Sequence, residues 1–528
     1  MNKIKTTNTK IKQSDHILAV KIKTESNGLG VLKTFIVILL IAAQVALLIL
    51  SNLYFLQLFK WFLTLSVILT LASAIHVLSS DYHAQAKATW VFFLLFCFGF
   101  GYVFYFFSDK RVLFARSRKK YNKVLSKTDN IQTQLDLDKI DTITDEEIIT
   151  NCKYLYNSGK FVAHNNSKTQ YFPSGVALFD NILEEIEKAN QFIFIEFFIV
   201  SNGTLLNRFM RVLKEKVKQG VDVRIIYDDM GSHGTLKRKT KKNIINAGIK
   251  LECFNRLVPV LNIALNLRNH RKIVVIDGKV AYTGGANLAD EYTNEKRMHG
   301  YWKDCGIKIV GPAVDNFSLA FLHQWEFLTN KEIDYKSYLN KAAPLSSDGI
   351  VVPFVSGPNY NFSIAQNIYA NIISNSNKML YIMSPYFIPD ETIINLIINK
   401  ARSGVDVRLF LPDIADKNFV YIVSRNNAEK LIKHGIKVYT MTNSFIHSKV
   451  ILTENSAIVG SINMDLRSFN QQFESAVFTS EIQTLENIKK DFDFTLSYSK
   501  HITPNEMRRN KISYRILAGI FNIISPFM

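Results

Sequence analysis

Cysteine is scarce in this chain, and negative charge is in deficit. Only Cys97, Cys152, Cys253 and Cys305 occur among 528 residues. They lie far apart, form no CxxC pair and have no metal-ligand spacing. That excludes a cysteine-built metal site and leaves isolated thiols used as small apolar residues. Asp and Glu number 45 against 64 Lys and Arg, a formal net charge of +19. Such a balance favours a polyanionic partner, either nucleic acid or an anionic membrane surface.

Ionic charge is missing altogether from three N-terminal runs: residues 34–55, 61–78 and 89–107. Each is of a length to cross a bilayer, the second only marginally. A cleaved signal peptide does not fit the first run. It is too long and starts too late, and no small-residue cleavage site precedes the next run. The apolar runs therefore favour the membrane over nucleic acid as the polyanionic partner.

The expected layout is a polar tail at 1–33, a transmembrane region at 34–110 and a linker at 111–154. A first domain follows at 155–335, a second at 350–500 and an amphipathic segment at 501–528. Basic flanks precede the first run and follow the third, at Lys110 to Lys123, and both prefer the cytoplasm. Three full spans cannot satisfy both, so either one run is re-entrant or interfacial, or one flank loses. The region after the apolar runs is expected on the cytoplasmic side.

The organising stretch is His270-Arg271-Lys272, with Asp277 five residues beyond the lysine and Gly284-Gly285-Ala286-Asn287 after it. A close copy stands near the C-terminus: His447-Ser448-Lys449, then Gly460-Ser461-Ile462-Asn463. A second feature repeats as well. Gly220-Val221-Asp222-Val223-Arg224 returns as Gly404-Val405-Asp406-Val407-Arg408, 184 residues on, while the two histidines are 177 apart. Two features recurring at nearly one spacing mark an internal duplication.

The surrounding pattern alternates strands and helices. Gly175–Asn190 reads as a helix with Val176, Leu178, Phe179, Ile182, Leu183 and Ile186 on one side. Phe192–Val200 and Val221–Asp228 read as strands. This predicts an α/β layer fold. Within His270–Ile276 a strand would project His270 and Lys272 together, and the paired glycines would let backbone approach a ligand.

Each half also carries a later carboxylate, Asp304 in the first and Glu474 in the second. An imidazole that presents one nitrogen to chemistry has its other nitrogen held, commonly by a carboxylate. Asp304 and Glu474 are the candidates.

The doubled His-x-Lys motif resembles the HKD signature of the phospholipase D superfamily. Gly300–Asp304, Ser356-Gly357-Pro358, Ser384–Asp390, Met464–Ser468 and Ser525-Pro526-Phe527 narrow the resemblance to bacterial cardiolipin synthases. It covers most of the chain beyond about residue 34. It implies two pseudo-twofold-related α/β halves, mixed sheets flanked by helices, behind a multi-pass anchor in the cell membrane.

It also implies a reaction without a cofactor. Two phosphatidylglycerol molecules would give cardiolipin and glycerol through a phosphohistidine. His270 would be the nucleophile and His447 the general acid/base, although the near-symmetry leaves that choice open in the sequence itself. Lys272, Lys449, Asn287 and Asn463 would bind phosphate, and Asp304 and Glu474 would orient the imidazoles. Asp277 and Glu454 complete the two motifs and are counted with the catalytic set, although this acidic position is usually structural in the family. Glu454 departs from the family's Asp, and its turn to Gly460 is one residue shorter than that of the first half. The extra methylene suits a shorter turn.

The expected partners are phosphatidylglycerol and anionic membrane lipid, with no metal and no nucleic acid. A phospholipase D releasing phosphatidic acid needs the same residues and stands as the alternative. A superfamily nuclease fits the apolar runs poorly.

Overall fold

The computed structural model describes residues 25–53, 56–80, 82, 84–97, 99–108, 110–131, 145–257, 267–503 and 512–524. Most of the expected polar tail, the acidic part of the expected linker and Ser525-Pro526-Phe527 lie outside the described residues. The chain divides into two units, one formed mainly by the N-terminal apolar region and one by the rest.

The apolar unit is helical. It contains α1 (Glu25–Leu53), α2 (Leu56–Leu78), the Trp90–Phe96 part of α3 (Ala84–Phe96), and α4 (Gly101–Ser108). Among the described residues one helix is long and apolar enough to cross a membrane, Lys60–Leu78, with mean hydropathy 2.0 over its apolar window. Phe35–Leu50 and Ala84–Phe96 are shorter apolar helices.

The third run, of a length to cross a bilayer, is broken. Gly99 takes a left-handed φ of +94° between α3 and α4. The two short helices clasp through Trp90 and Tyr105, whose rings are 5.0 Å apart, and through Phe93 and Phe104 at 5.1 Å. Tyr105 also hydrogen-bonds His76 of α2 at 2.8 Å. An unbroken apolar run hid this break, because only the glycine frees the backbone to turn.

The catalytic unit holds two sheets of one plan. The first contains β1 (Lys168–Phe172), β2 (Phe192–Phe197), β3 (Asp222–Asp228), β4 (Lys250–Phe254), β5 (Lys272–Ile276), β6 (Val280–Gly284) and β7 (Gly306–Val310), in spatial order 1-7-6-5-2-3-4. The second contains β8 (Val351–Ser356), β9 (Met379–Met383), β10 (Asp406–Pro412), β11 (Lys437–Met441), β12 (Val450–Thr453), β13 (Ala457–Gly460), β14 (Gln472–Thr479) and β15 (Ser499–His501), in order 8-14-13-12-9-10-11-15. Strand for strand the orders correspond, and β15 is the one addition. In each sheet three consecutive strands are parallel, β2-β3-β4 at one edge of the first and β9-β10-β11 in the second, and the other neighbours pair antiparallel.

Helices cover the sheets. α7 (Gly175–Glu187) is capped by Ser174, which accepts from the Ala177 N–H, and it buries Leu178, Phe179, Ile182, Leu183 and Ile186. Val176, expected on that face, is exposed in the first turn. β2 is buried at all six positions, as a strand covered on both faces must be. α8 (Thr204–Lys218) and α9 (Arg238–Asn246) connect β2 to β3 and β3 to β4, and α10 (Val314–Thr329) follows β7.

The region expected as a linker is partly built in. Its α5 (Lys110–Leu125) buries Tyr121 against Phe327 and Phe473, with ring separations of 5.2 and 5.8 Å. α6 (Glu146–Gly159) buries Cys152 and Leu155. In the second half α11 (Ile364–Asn375), α12 (Glu391–Arg402) and α13 (Asn418–Ile432) take the places of α7, α8 and α9. α14 (Leu466–Asn470) follows the second motif, α15 (Ile482–Ser497) matches α10, and α16 (Ile512–Ile524) lies on α13 through Phe521 and Phe419. One apolar core runs through both halves, so they are not separable layers.

Candidate active site

Two short strand pairs lock the halves together and deliver the histidines. Arg268–Asn269 pairs in parallel with Gln472–Phe473, and Ser444–Ile446 pairs in parallel with Tyr301–Lys303. The chain running into each histidine therefore lies beside the chain running into the other half's carboxylate. The His270 N–H donates to Phe473 O at 2.8 Å, and the His447 N–H donates to Lys303 O at 2.7 Å.

The side chains cross in the same way. His270 Nδ1 lies 2.9 and 3.1 Å from the two Glu474 oxygens, and His447 Nδ1 lies 2.7 Å from Asp304 Oδ2. A carboxylate beside Nδ1 accepts its N–H and holds the tautomer in which Nε2 is the free, reactive nitrogen. The regular strand β5 starts at Lys272, so His270 stands just ahead of the ladder instead of inside it.

Both imidazoles line one cavity of about 460 Å³ with Asn287 and Asn463. Lys272 Nζ donates to His270 O at 2.7 Å. Lys449 Nζ donates to His447 O and lies 2.7 Å from His447 Nδ1. Asn287 is committed on both sides: its Oδ1 accepts from the Ile199 N–H and its Nδ2 donates to Tyr292 Oη. Asn463 Oδ1 is buried and unpartnered.

The electrostatics suit an anion-binding site. Burial, then Lys272 and Lys449, hold His270 well below the ordinary imidazole range. Burial and Lys449 push His447 down to about 4, against the pull of Asp304. Burial lowers Lys272 strongly and brings Lys449 to about 8. It also pushes Glu474 up to about 8. Buried cations that repel one another are stabilised by an added anion, and a phosphodiester is one.

Asp277 and Glu454, counted with the catalytic set, do not reach this cavity. The Asp277 carboxylate accepts the N–H groups of Asn190, Gln191 and Phe192 at 2.8–2.9 Å, tying the end of β5 to the start of β2. Glu454 accepts those of Asn377, Lys378 and Met379 at 2.7–3.2 Å, tying β12 to β9. In the first half Ile276 pairs with Val280 around a three-residue turn. In the second the Thr453 N–H donates to Ser456 O around a two-residue turn. The longer glutamate side chain spans the distance that the missing residue leaves.

Gly285 serves packing, not ligand approach. A Cβ there would meet Asp304 Oδ1 at 2.1 Å and His447 O at 2.8 Å. At the matching position Ser461 instead donates its hydroxyl to Glu474.

Sequence reasoning missed the aromatic walls. The Tyr292 and Trp302 rings each stand 5.3 Å from that of His447, and Phe198 stands 5.1 Å from His270. Arg467, half-buried with an unpartnered Nε, also lines the cavity. Trp302 and Arg467 sit in stretches that carry the family resemblance, which was the available signal. Among the described residues no group of three or more His, Cys, Asp or Glu is placed to hold a metal ion.

Residues 182–299 and 369–495 match the family described as "Cardiolipin synthase, PLD-like domain". Cardiolipin synthase 1 of Staphylococcus aureus (strain COL) is 32% identical over 486 residues, which is 89% of this chain and 98% of the relative. An uncharacterized protein of Streptococcus mutans is 35% identical over 378 residues, 71% of this chain and 82% of the relative. The fold is similar to that of phosphatidylserine synthase from Haemophilus influenzae, with a TM-score of 0.55 and 14% identity over 72% of this chain and 100% of that one. The matched motifs, the duplicated sheet plan and an identity running through nearly the whole length of a named synthase place this chain in the cardiolipin synthase family.

Proposed function

We propose that the protein is a membrane phosphatidyltransferase that joins two phosphatidylglycerol molecules into cardiolipin and releases glycerol. The observation that carries this reading is the crossing of the halves. Each histidine is held by the other half's carboxylate, and both imidazoles line one cavity.

In the first step neutral His270 Nε2 attacks the phosphorus of one phosphatidylglycerol. The bond to the glycerol oxygen breaks, and His447 protonates that oxygen as it leaves. Phosphate binding raises the proton affinity of His447 and so fits it to act as the acid. In the second step His447 takes the proton from the terminal hydroxyl of another phosphatidylglycerol. The oxygen attacks the phosphohistidine, and the phosphorus–nitrogen bond breaks. Lys272, Lys449 and Asn463 hold the phosphoryl oxygens while charge builds up on them. Asn287 acts through Tyr292 and the Ile199 loop. Asp304 and Glu474 keep the imidazoles in the reactive tautomer.

The enzyme works on phospholipid at the membrane. We place it in the cell membrane by two crossings, α1 and α2, with the α3–α4 hairpin re-entrant or interfacial. The Lys60–Leu78 part of α2, long and apolar enough to cross, and the shorter apolar stretch Phe35–Leu50 of α1 are what support that reading.

The test is purified enzyme with labelled phosphatidylglycerol. Glycerol released together with cardiolipin supports transfer. Phosphatidic acid with no cardiolipin would make the protein a hydrolase.

A further inference from the structure

The two halves share a plan, but the cavity between them is not symmetric in charge. Matching Asn287 to Asn463 sets Glu291 opposite Arg467, each four residues beyond its asparagine, and both line the cavity. The loop from β3 to α9 contributes uncharged Met230 and Gly231. The matching loop from β10 to α13 contributes Asp416 and Lys417.

These differences have sides. Arg467 adds to the positive field on His270. Glu291 adjoins Tyr292, whose ring lies 5.3 Å from that of His447. Asp416 accepts from Tyr386 Oη at 2.5 Å, and Lys417 Nζ stands 5.7 Å from the centre of the Tyr386 ring. Asp416 also raises the proton affinity of both Tyr292 and Tyr386, so this carboxylate belongs to the same wall. Among the described residues neither Glu291 nor Lys417 forms a salt bridge, and the Lys417 charge acts on Asp465, which lines the same cavity. Asn463, buried with a free Oδ1, faces the same space.

The chemistry says what this wall must do. By microscopic reversibility the incoming alcohol enters where glycerol left, on the side of the acid/base histidine. Hydroxyl groups are held by carboxylate and phenol acceptors, and the wall is built of them. A phosphatidylglycerol acceptor differs from free glycerol or water in one respect, a second phosphate a few bonds beyond the attacking oxygen. That phosphate needs a cation at the rim, outside the His-Lys cluster. Lys417 is exposed, lies at the N-cap of α13 and borders the cavity.

The geometry points to an acceptor subsite in which Glu291 and Asp416 bind the glycerol hydroxyls and Lys417 pairs with the acceptor's own phosphate. Lys417 thereby decides whether the phosphatidyl group passes to a second lipid or to a small alcohol. This rests on the proposed transfer reaction. It also assigns the entering and leaving alcohol to His447, and so makes His270 the nucleophile on grounds independent of family likeness.

The test measures partition. Full-length enzyme is supplied with phosphatidylglycerol in detergent micelles and with labelled free glycerol. Cardiolipin formation and label exchange into phosphatidylglycerol both pass through the same covalent intermediate. In Lys417→Gln the ratio of cardiolipin to exchange is expected to fall roughly tenfold, the loss of one charge-assisted contact. Lys417→Arg is expected to restore most of it. An unchanged ratio in Lys417→Gln overturns the assignment, as does equal loss in Lys417→Gln and Lys417→Arg. If the unsubstituted enzyme exchanges label but makes no cardiolipin, the synthase reading fails instead, and the two failures are distinguishable.

Discussion

At the scale of single residues, burial and neighbouring cations lower the proton affinity of both imidazoles and both lysines, and a phosphate would restore it. His270 is held neutral by burial and by two lysines, which suits a nucleophile. His270→Ala and His447→Ala are each expected to lower cardiolipin formation by roughly 10³-fold or more, measured on folded protein checked by circular dichroism. Near-normal turnover in either would remove the two-histidine scheme. Lys449 gives a pH dependence. Burial brings it to about 8, so it is cationic below that pH and loses its charge above it. Its grip on phosphate weakens as pH rises, and kcat/KM is expected to fall on that limb. Lys449→Arg keeps its charge there, so its residual kcat/KM should not show the fall. Matching alkaline limbs in the two enzymes would clear Lys449 of responsibility.

At the scale of elements, the hairpins β5–β6 and β12–β13 are fastened at their far ends by an acidic side chain that accepts three backbone N–H groups. Removing such an acceptor leaves donors without partners next to the core. Asp277→Ala is expected to cost about 3 kcal/mol of stability, read as a lowered denaturation midpoint. The protein that remains folded should keep a kcat close to that of the parent. A large fall in kcat with stability intact would return Asp277 to the catalytic set. Glu454→Asp is expected to fold and to stay active, with a loss of about 1 kcal/mol, because the shorter side chain cannot reach all three donors from a two-residue turn. The broken third run belongs to this scale too. Its composition is that of a span, and a single left-handed glycine makes it a hairpin.

At the scale of the whole molecule, neither half owns a complete catalytic group. The histidine of one half is set by a carboxylate of the other, and the entry strands are interleaved. Coupling is therefore expected between halves and not within them. Asp304→Asn should lower the rate roughly 10³-fold by releasing the tautomer of His447. Combined with His447→Ala it should add little more, while combined with Glu474→Gln it should cost further. Kinetics of the single and double variants read this directly. Full additivity of Asp304→Asn with His447→Ala would show that the carboxylate acts elsewhere.

Much of this was legible in the residues. The paired His-x-Lys stretches, the repeated Gly-Val-Asp-Val-Arg and the alternation of apolar strands with amphipathic helices follow from local spacing. Local spacing is enough to announce two α/β halves. The departure at Glu454 and the shorter turn beside it were also readable, since both lie within a few residues of each other. What local spacing does not carry is which side chain meets which across 143 residues, from Asp304 to His447, or 204, from His270 to Glu474. No periodicity links such positions, and the symmetric pattern is equally compatible with carboxylates serving their own half. The packing of β13 and β14 against β6, with Thr283 bonded to Ser475 at 2.9 Å, decided it. The same packing set the Asp277 and Glu454 carboxylates on backbone donors instead of in the site, and it gave the two walls of the cavity their unequal charge. The chain alone determined the chemistry it carries. Tertiary structure decided how that chemistry is divided, because contact between distant segments depends on how sheets pack, not on any residue's neighbours in sequence.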